Sequence, residues 1–282
     1  MRAGSFLVLG LGVALALGGY ACGGTTPTAD DADAGDDAAA PDAEPDDSGE
    51  PSDAGRDAPV DAPKDSPGPP NGYCAKLSPK PKFCDDFDDG NLIDDWDIPT
   101  MVMGKSSMEL DDATFTSPPY AFTVAARELT TNGDIANVHL RRTVLGAVGH
   151  VTLSFSALYP SLTLTKGAIA IATLDVSSSR FFTLYLRDPD TGGPTLEEIN
   201  GGMMTKHVLT MLPPAAAWTR ITIDLDLAGG AASVSYDAAK ALDAEPITAA
   251  AGTEATIRVG AVYVYGPTDA FGATYDDVVL DF

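Results

Sequence analysis

The sequence predicts an all-β fold, a jelly-roll sandwich of two antiparallel sheets that follows a disordered acidic linker. In residues 151–157 and 220–227, apolar and polar side chains alternate, which is the period of a strand with one buried and one wet face. Clusters of Gly, Asn, Asp and Pro separate such runs, for example at 131–134 and 188–193. Because no helical crossover lies between the runs, we expect the strands to pair antiparallel and to pack as two sheets.

The strand-like runs extend over most of residues 71–282, which is enough chain for one sandwich domain. They occupy 120–126, 136–144, 151–157, 168–176, 180–187, 207–211, 220–227, 232–236, 255–265 and 274–281. Only 237–244 has a weakly helical composition. We therefore place an export signal at 1–21, a linker at 22–70 and one β-sandwich domain at 71–282.

The N-terminal residues have the pattern of a cleaved export signal. A short positive start precedes an apolar run at 6–17, which is too short to span a bilayer. The following residues, Gly19, Tyr20, Ala21 and Cys22, resemble the lipobox of bacterial lipoproteins, with Gly19 in place of the usual Leu. The resemblance implies that Cys22 becomes the acylated N-terminus and anchors the protein in a membrane. Ordinary secretion, which would leave Cys22 unmodified, is the alternative.

The linker is acidic and has almost no apolar side chains. Between residues 23 and 70, 14 Asp and Glu residues face only Arg56 and Lys64, so the segment carries half of the formal net charge of −24. A chain of this composition buries no core and is predicted to be disordered. We interpret it as a spacer between membrane and domain. Nucleic acid is excluded as a partner because no basic patch is present.

Gly23 follows the lipobox cysteine where an Asp could have stood. In lipoproteins this favours sorting to the outer membrane, so we expect an outer-membrane protein that faces the periplasm or the cell surface.

Cys74 and Cys84 are the two cysteines that remain after Cys22. Their spacing predicts a disulfide that closes a small loop at the start of the domain, as is common in exported proteins. A zinc site would need four ligands, and the sequence offers neither a second cysteine pair nor a nearby His.

Several short motifs resemble the concanavalin A-like lectin and glucanase jelly rolls, which include laminin-G-like domains. The motifs are Phe83-Cys84-Asp85-Asp86-Phe87-Asp88-Asp89-Gly90, Trp96, Ser117-Pro118-Pro119-Tyr120-Ala121-Phe122, Trp218-Thr219-Arg220-Ile221 and Tyr275-Asp276-Asp277-Val278. In that superfamily the last strand returns beside the first. The resemblance covers residues 83–282 and implies architecture rather than activity.

The carboxylate motif of glucanases on this fold is incomplete in this chain. The nearest match begins at Glu109 and Asp111 but has Thr114 where the acid/base Glu would stand. Glu197 and Glu198 are adjacent and would point to opposite sides of a strand. We interpret both sets as solvated surface carboxylates, and a glycoside hydrolase with two paired carboxylates is disfavoured.

One histidine has neighbours that suggest different chemistry. His139 with Arg141 and Arg142 resembles the His and basic residues with which polysaccharide lyases on this fold hold uronate groups and remove a proton. A strand with an ordinary polar face explains the same residues and is the favoured interpretation. Arg141 and Arg142 would point in opposite directions.

Acidic residues cluster near both ends of the domain. In related jelly rolls the two terminal strands pair, and a structural Ca²⁺ often lies against them. The resemblance therefore makes Asp86 and Asp277 candidate calcium ligands. The alternative is surface charge with Asp side chains that cap turns.

An aromatic row on one strand is the candidate ligand-binding surface. Phe181, Tyr185 and Arg187 share one side of the 180–187 run. Aromatic rings stack on the C–H faces of sugars, and Arg and hydroxyl groups bind the sugar oxygens. Core packing between the sheets explains the row equally well.

These observations favour a lipid-anchored, extracytoplasmic module that binds glycan without catalysis. A glycan-degrading enzyme, a lyase rather than a hydrolase, is the second interpretation, and a structural or adhesive envelope protein is the third. The expected partners are the membrane, through the lipid, and a polysaccharide or another envelope component.

A Cys22→Ser variant should move from the membrane fraction to the soluble fraction, because it lacks the thiol that carries the lipid. Fractionation followed by mass spectrometry of the mature N-terminus measures this. A Gly23→Ala variant, which keeps the thiol, should stay in the membrane. An unmodified Cys22 at the N-terminus of the natural protein would refute lipidation.

Overall fold

The computed structural model describes residues 72–97 and 101–282. The export signal, Cys22 and the linker up to residue 70 lie outside these residues. Within the described residues, no helix is long and apolar enough to cross a membrane.

The described residues form almost entirely β structure. The elements are α1 (Tyr73–Lys76), β1 (Phe83–Asp85), β2 (Met101–Gly104), β3 (Ser106–Asp111), β4 (Ala121–Ala126), β5 (Ile135–Val148), β6 (His150–Leu158), β7 (Ala168–Ser177), β8 (Arg180–Arg187), β9 (Thr195–Asn200), β10 (Met203–Val208), β11 (Trp218–Asp226), β12 (Ala231–Tyr236), β13 (Ala239–Pro246), β14 (Gly252–Tyr265) and β15 (Phe271–Asp281), with a 3₁₀ turn at Pro189–Thr191.

The strands form two antiparallel sheets. Sheet A has the order β13-β12-β11-β6-β15-β4-β3, with β1 paired to the end of β15. Sheet B has the order β10-β9-β8-β7-β14-β5-β2. The first strand lies beside the last, with Phe83 opposite Leu280. The prediction of an antiparallel two-sheet jelly roll is therefore confirmed.

The core lies between the sheets and follows the two-residue period of the sequence. In β6, Leu153 and Phe155 are fully buried, and in β11 Ile221 is buried in the same layer. Phe122 stacks on Tyr275 with ring centroids 5.0 Å apart. Burial of each such side chain contributes roughly 1.5–3 kcal/mol, so the alternating residues supply most of the driving force for folding.

The disulfide between Cys74 and Cys84 is present, as predicted, and joins α1 to β1 with the two Cα atoms 5.8 Å apart. The backbone N–H of Cys74 also donates to Asp86 Oδ2 at 2.7 Å. In the chain-entropy description, a loop of this size stabilises the fold by about 3 kcal/mol.

Several element boundaries differ from the sequence-based prediction. Residues 239–246 form an edge strand, β13, because pairing with β12 outweighs their weak helical propensity. The strand expected at 207–211 lies earlier, at Met203–Val208, where it pairs with β9. The predicted runs do not include β2, β3 and β9. The polar residues of β3 and β9 obscure the alternation that marks a strand.

Candidate functional site

The candidate site lies on the side of sheet B that is turned away from the core, which we call the outer face. In β5, Val138 and Leu140 are fully buried in the core. The residues that alternate with them, Asn137, His139 and Arg141, therefore project from the outer face. The alternation of this one strand places an amide, an imidazole and a guanidinium in a line.

The neighbouring strand β14 adds a second set of polar side chains. Gly260 lies opposite His139, and Arg258 lies opposite Arg141. A Cβ atom at Gly260 would lie 2.5 Å from the carbonyl oxygen of Val138, and its φ is +137°. Glycine is therefore required at this point, where a Cβ atom would collide with the backbone of β5.

A residue of the opposite sheet fixes this part of β14. The ladder between β14 and β7 is irregular between Val259 and Tyr263. The fully buried hydroxyl of Tyr275 donates to the carbonyl oxygen of Gly260 at 3.2 Å. A hydrogen bond from the core thus takes the place of a ladder bond, and the backbone beside His139 is held by both sheets.

His139 is neutral at physiological pH. Its side chain is 4% exposed, and burial, together with the positive charges of Arg258 and Arg141, lowers its pKa to about 4. The Nδ1 atom has no hydrogen-bond partner among the described residues. The arrangement provides an uncharged imidazole next to two cations.

The two arginines on this face differ in how their charges are balanced. Arg258 forms an ion pair with Asp175 at 2.8 Å and donates to the Thr173 hydroxyl at 3.0 Å. Burial raises the pKa of Asp175, and Arg258 opposes this increase. Arg141 forms no ion pair within 4.0 Å in the part of the chain that the structure describes, and its Nε lacks a partner there. Arg141 is therefore a cation available to a ligand.

A groove runs beside these residues. Its volume is about 270 Å³, and its walls include Arg141, Asp175, Phe181, Arg258 and Tyr263. Ser177, Ser178, Glu254 and Thr256 complete the lining. Aromatic, cationic and hydroxyl side chains of four adjacent strands meet in this groove, which is the mixture that a sugar surface requires.

The aromatic row of β8 continues the same face. Phe182, Leu184 and Leu186 are buried in the core, so the row with Phe181, Tyr185 and Arg187 projects from the outer face rather than between the sheets. Arg187 stacks over the Tyr185 ring at 4.8 Å. Burial raises the pKa of Tyr185 to about 12, with a smaller contribution from Glu197.

The prediction that Glu197 and Glu198 are solvated is wrong. They are 5% and 3% exposed. Glu197 forms ion pairs with Arg187 at 2.8 Å and Lys206 at 3.0 Å. Each carboxylate can be buried because neighbouring strands supply a cation. As expected for adjacent residues of a strand, Glu197 and Glu198 bind different cations.

Glu198 binds Arg180 at 3.0 Å. The same guanidinium also donates to the backbone carbonyls of Thr248 and Ala250, so this pair fastens the segment between β13 and β14 to sheet B. Glu109 is exposed, as expected for a surface carboxylate, whereas Asp111 is half-buried and accepts hydrogen bonds from the backbone N–H groups of Ala113 and Thr114.

The predicted calcium ligands lie in a second region, around β1 and the bulge of β15. Asp86 accepts the Cys74 N–H, and Asp277 accepts hydroxyl hydrogen bonds from Ser117 at 2.7 Å and Thr116 at 2.9 Å. Neither carboxylate is therefore free of protein donors.

Asp88 is the residue of this region that sequence analysis did not single out as a ligand. It is 7% exposed, and both of its carboxylate oxygens lack hydrogen-bond partners among the described residues. Burial, together with the negative charges of Asp86, Asp276 and Asp277, raises its pKa to about 7. A Cβ atom at Gly72 would lie 2.6 Å from Asp88 Oδ2 and 2.7 Å from Asp86 Oδ2, so both oxygens border one small space.

This oxygen-rich space suits a hard cation such as Ca²⁺ better than zinc. In the described ranges, however, no three His, Cys, Asp or Glu side chains converge to form a metal site. A cation here would need backbone carbonyl oxygens or water as additional ligands.

Comparison with solved structures identifies the architecture. The chain is similar to the endo-β-1,4-glucuronan lyase from the fungus Trichoderma reesei, with 12% identity and a TM-score of 0.55 over 71% of this chain and 95% of that one. It is also similar to a cellulose induced protein, Cip1, with 11% identity and a TM-score of 0.50 over 70% and 96% of the two chains. The shared fold is a two-sheet jelly roll, which is consistent with the predicted concanavalin A-like architecture. At these identities the likeness shows the fold alone. No protein-family model and no curated protein matches the sequence.

Proposed function

We propose that the outer face of sheet B binds an anionic polysaccharide. The observation that carries this proposal is Arg141, a guanidinium without an ion-pair partner among the described residues, beside a groove in a chain of formal net charge −24. A planar guanidinium matches a carboxylate with two parallel hydrogen bonds. The uronate groups of acidic glycans present such carboxylates.

The rest of the face supports a sugar ligand. Phe181 and Tyr263 line the groove, and Tyr185 extends the aromatic row beyond it. Rings of this kind contact the C–H faces of sugars while the charged and hydroxyl groups bind their oxygens. The structural neighbour described as a glucuronan lyase makes glucuronan a reasonable first ligand to test.

His139 favours a second candidate function, cleavage by β-elimination. A neutral imidazole beside a bound carboxylate is suited to remove the proton from the adjacent ring carbon. The electron pair then forms a C=C bond as the C–O bond to the neighbouring sugar breaks, and the leaving oxygen takes a proton from the Tyr263 hydroxyl. The products are an unsaturated uronate and a shortened chain.

Hydrolysis by paired carboxylates has less support. Asp175 is paired with Arg258, and Glu197 is paired with Arg187 and Lys206. These ion pairs leave neither carboxylate free to act as an acid or a nucleophile.

The proposal includes a location outside the cytoplasm, with the domain anchored to the outer membrane through Cys22. The disulfide between Cys74 and Cys84 supports an oxidising compartment. An adhesive role in the envelope would use the same face with a protein as the partner.

We further propose a structural Ca²⁺ held by Asp86 and Asp88, with backbone carbonyl oxygens or water as its other ligands. The two unpartnered, buried oxygens of Asp88 support it, because a bound cation would offset the repulsion within this group of carboxylates.

The wild-type protein should bind polygalacturonate or glucuronan and should not bind a neutral glucan. Arg141→Ala should lower the affinity at least tenfold, and Tyr185→Ala should abolish binding because it removes a ring of the sugar-binding row. Isothermal titration calorimetry measures this. Arg142→Ala is the matched control, since Arg142 contacts Phe83 and Asp97 instead. Equal losses in Arg141→Ala and Arg142→Ala would contradict the proposed site.

If the domain is a lyase, incubation with a polyuronate should generate the ultraviolet absorbance of unsaturated uronate, and His139→Gln should remove it. The base must be neutral to act, so kcat/KM should stay level above about pH 5 and fall only as the pH drops through the His139 pKa of about 4. A decline centred near pH 6.5 would show that His139 is not the base. An unchanged polymer would assign the face to binding alone.

Addition of Ca²⁺ after treatment with a chelator should raise the thermal midpoint by several degrees, because a ligand that binds only the folded state stabilises it. In Asp88→Asn this response should be lost. Asp112→Asn, which changes an exposed carboxylate elsewhere, should respond as wild type. Calorimetric midpoints that do not depend on Ca²⁺ in the wild-type protein would refute the site.

A further inference from the structure

The outer face of sheet B has an apolar end that the groove does not include. Three exposed side chains form it: Tyr265 on β14, Ile135 on β5 and Met103 on β2, which are 53%, 38% and 48% exposed. We call them the shelf. We propose that the shelf is a second sugar subsite, which stacks on the uncharged face of a pyranose ring of the same anionic polysaccharide. This inference rests on the proposed function and adds Tyr265 to the residues that binding of a long ligand requires.

The strand register makes the three side chains neighbours. Ile135 lies directly opposite Tyr265, and Met103 lies opposite Asn137, one step further along β5 on the same side. Side chains at such direct and diagonal positions are within contact distance. The shelf is therefore one continuous apolar surface rather than three isolated residues.

The shelf is also continuous with the groove. Tyr265 lies parallel to Tyr263, with the ring centroids 6.4 Å apart and the planes 13° apart, and Tyr263 is part of the groove wall. A glycan that occupies the groove can thus pass from one ring to the next without leaving the face.

The chemistry of the shelf differs from that of the groove. None of its three side chains carries a charge, and the nearby Lys105 and Asp134 neutralise each other at 3.8 Å. An aromatic ring with two flexible or branched aliphatic neighbours suits the C–H face of a sugar, whereas a carboxylate finds no cation there. The shelf should therefore add affinity that does not depend on salt.

The position of the shelf sets a minimum length for the ligand. Ile135 and Arg141 are six residues apart on β5, which corresponds to roughly 20 Å at the rise of a strand. His139 lies between them. A ligand that reaches both the shelf and Arg141 must contain several sugars and must pass His139.

The test uses oligogalacturonates of increasing, defined length with the full-length protein. For long oligomers, Tyr265→Ala should lower the affinity about tenfold, by the same factor at low and high salt. For the shortest oligomers that bind, it should have no effect. Tyr265→Phe, which keeps the ring, should bind as wild type. The loss in Arg141→Ala should instead shrink as salt screens the charge.

Val102→Ala is the matched control. Val102 is 51% exposed on the same edge strand as Met103, but it lies opposite Val138 and therefore on the other side of sheet B. Its affinity for every oligomer should equal that of the wild-type protein.

The outcomes separate the two levels of the proposal. If Arg141→Ala weakens binding and Tyr265→Ala does not, the shelf is not a subsite and the proposed function stands. If the wild-type protein binds no oligomer of any length, both are wrong. If sedimentation shows a wild-type dimer that Tyr265→Ala converts to a monomer, the shelf contacts a second copy of the chain and the sugar subsite is refuted.

Discussion

The close approach of β5 and β14 at Gly260 is the constraint on which the outer face of sheet B depends. A side chain at this position would collide with the Val138 carbonyl, and the strands would have to separate. The separation would move His139 away from Arg258, which contributes to the low pKa of the imidazole. Tyr275 supports the same backbone from the core. The absence of a side chain at Gly260 and the hydrogen bond from Tyr275 thus keep β5 and β14 in the positions that bring His139 and Arg258 together.

The charged side chains of this face are of two kinds. Those in ion pairs stabilise the sheet, and those without an ion-pair partner are available to a ligand. Arg258 with Asp175, and Arg187 with Glu197, join neighbouring strands and orient each other. Buried charges of this kind are tolerated only with a partner. Arg141 has none within the described residues. The distinction between a structural and a ligand-binding arginine therefore lies in the partners supplied by other strands, not in the residue type.

The alternation of apolar residues predicted the fold and the orientation of β8, because side-chain direction in a strand is a local property. It could not predict which strands lie side by side. Arg258 was missed because its relation to His139 depends on a pairing between distant parts of the chain. Glu197 and Glu198 were misjudged for the same reason, since their cations come from β8 and β10. Asp88 has no sequence signal that separates it from the surrounding acidic residues.

The disulfide at the start of the domain has a mechanical consequence. A pull on the chain that precedes residue 72 passes through the covalent bond between Cys74 and Cys84 and reaches β1 directly. From there the load is carried by the ladder in which Phe83 faces Leu280 and Asp85 faces Val278. These hydrogen bonds lie in sheet A, whereas the groove and the shelf lie on sheet B. Tension applied to the chain before residue 72 therefore enters the sandwich through the sheet that does not carry the proposed binding face.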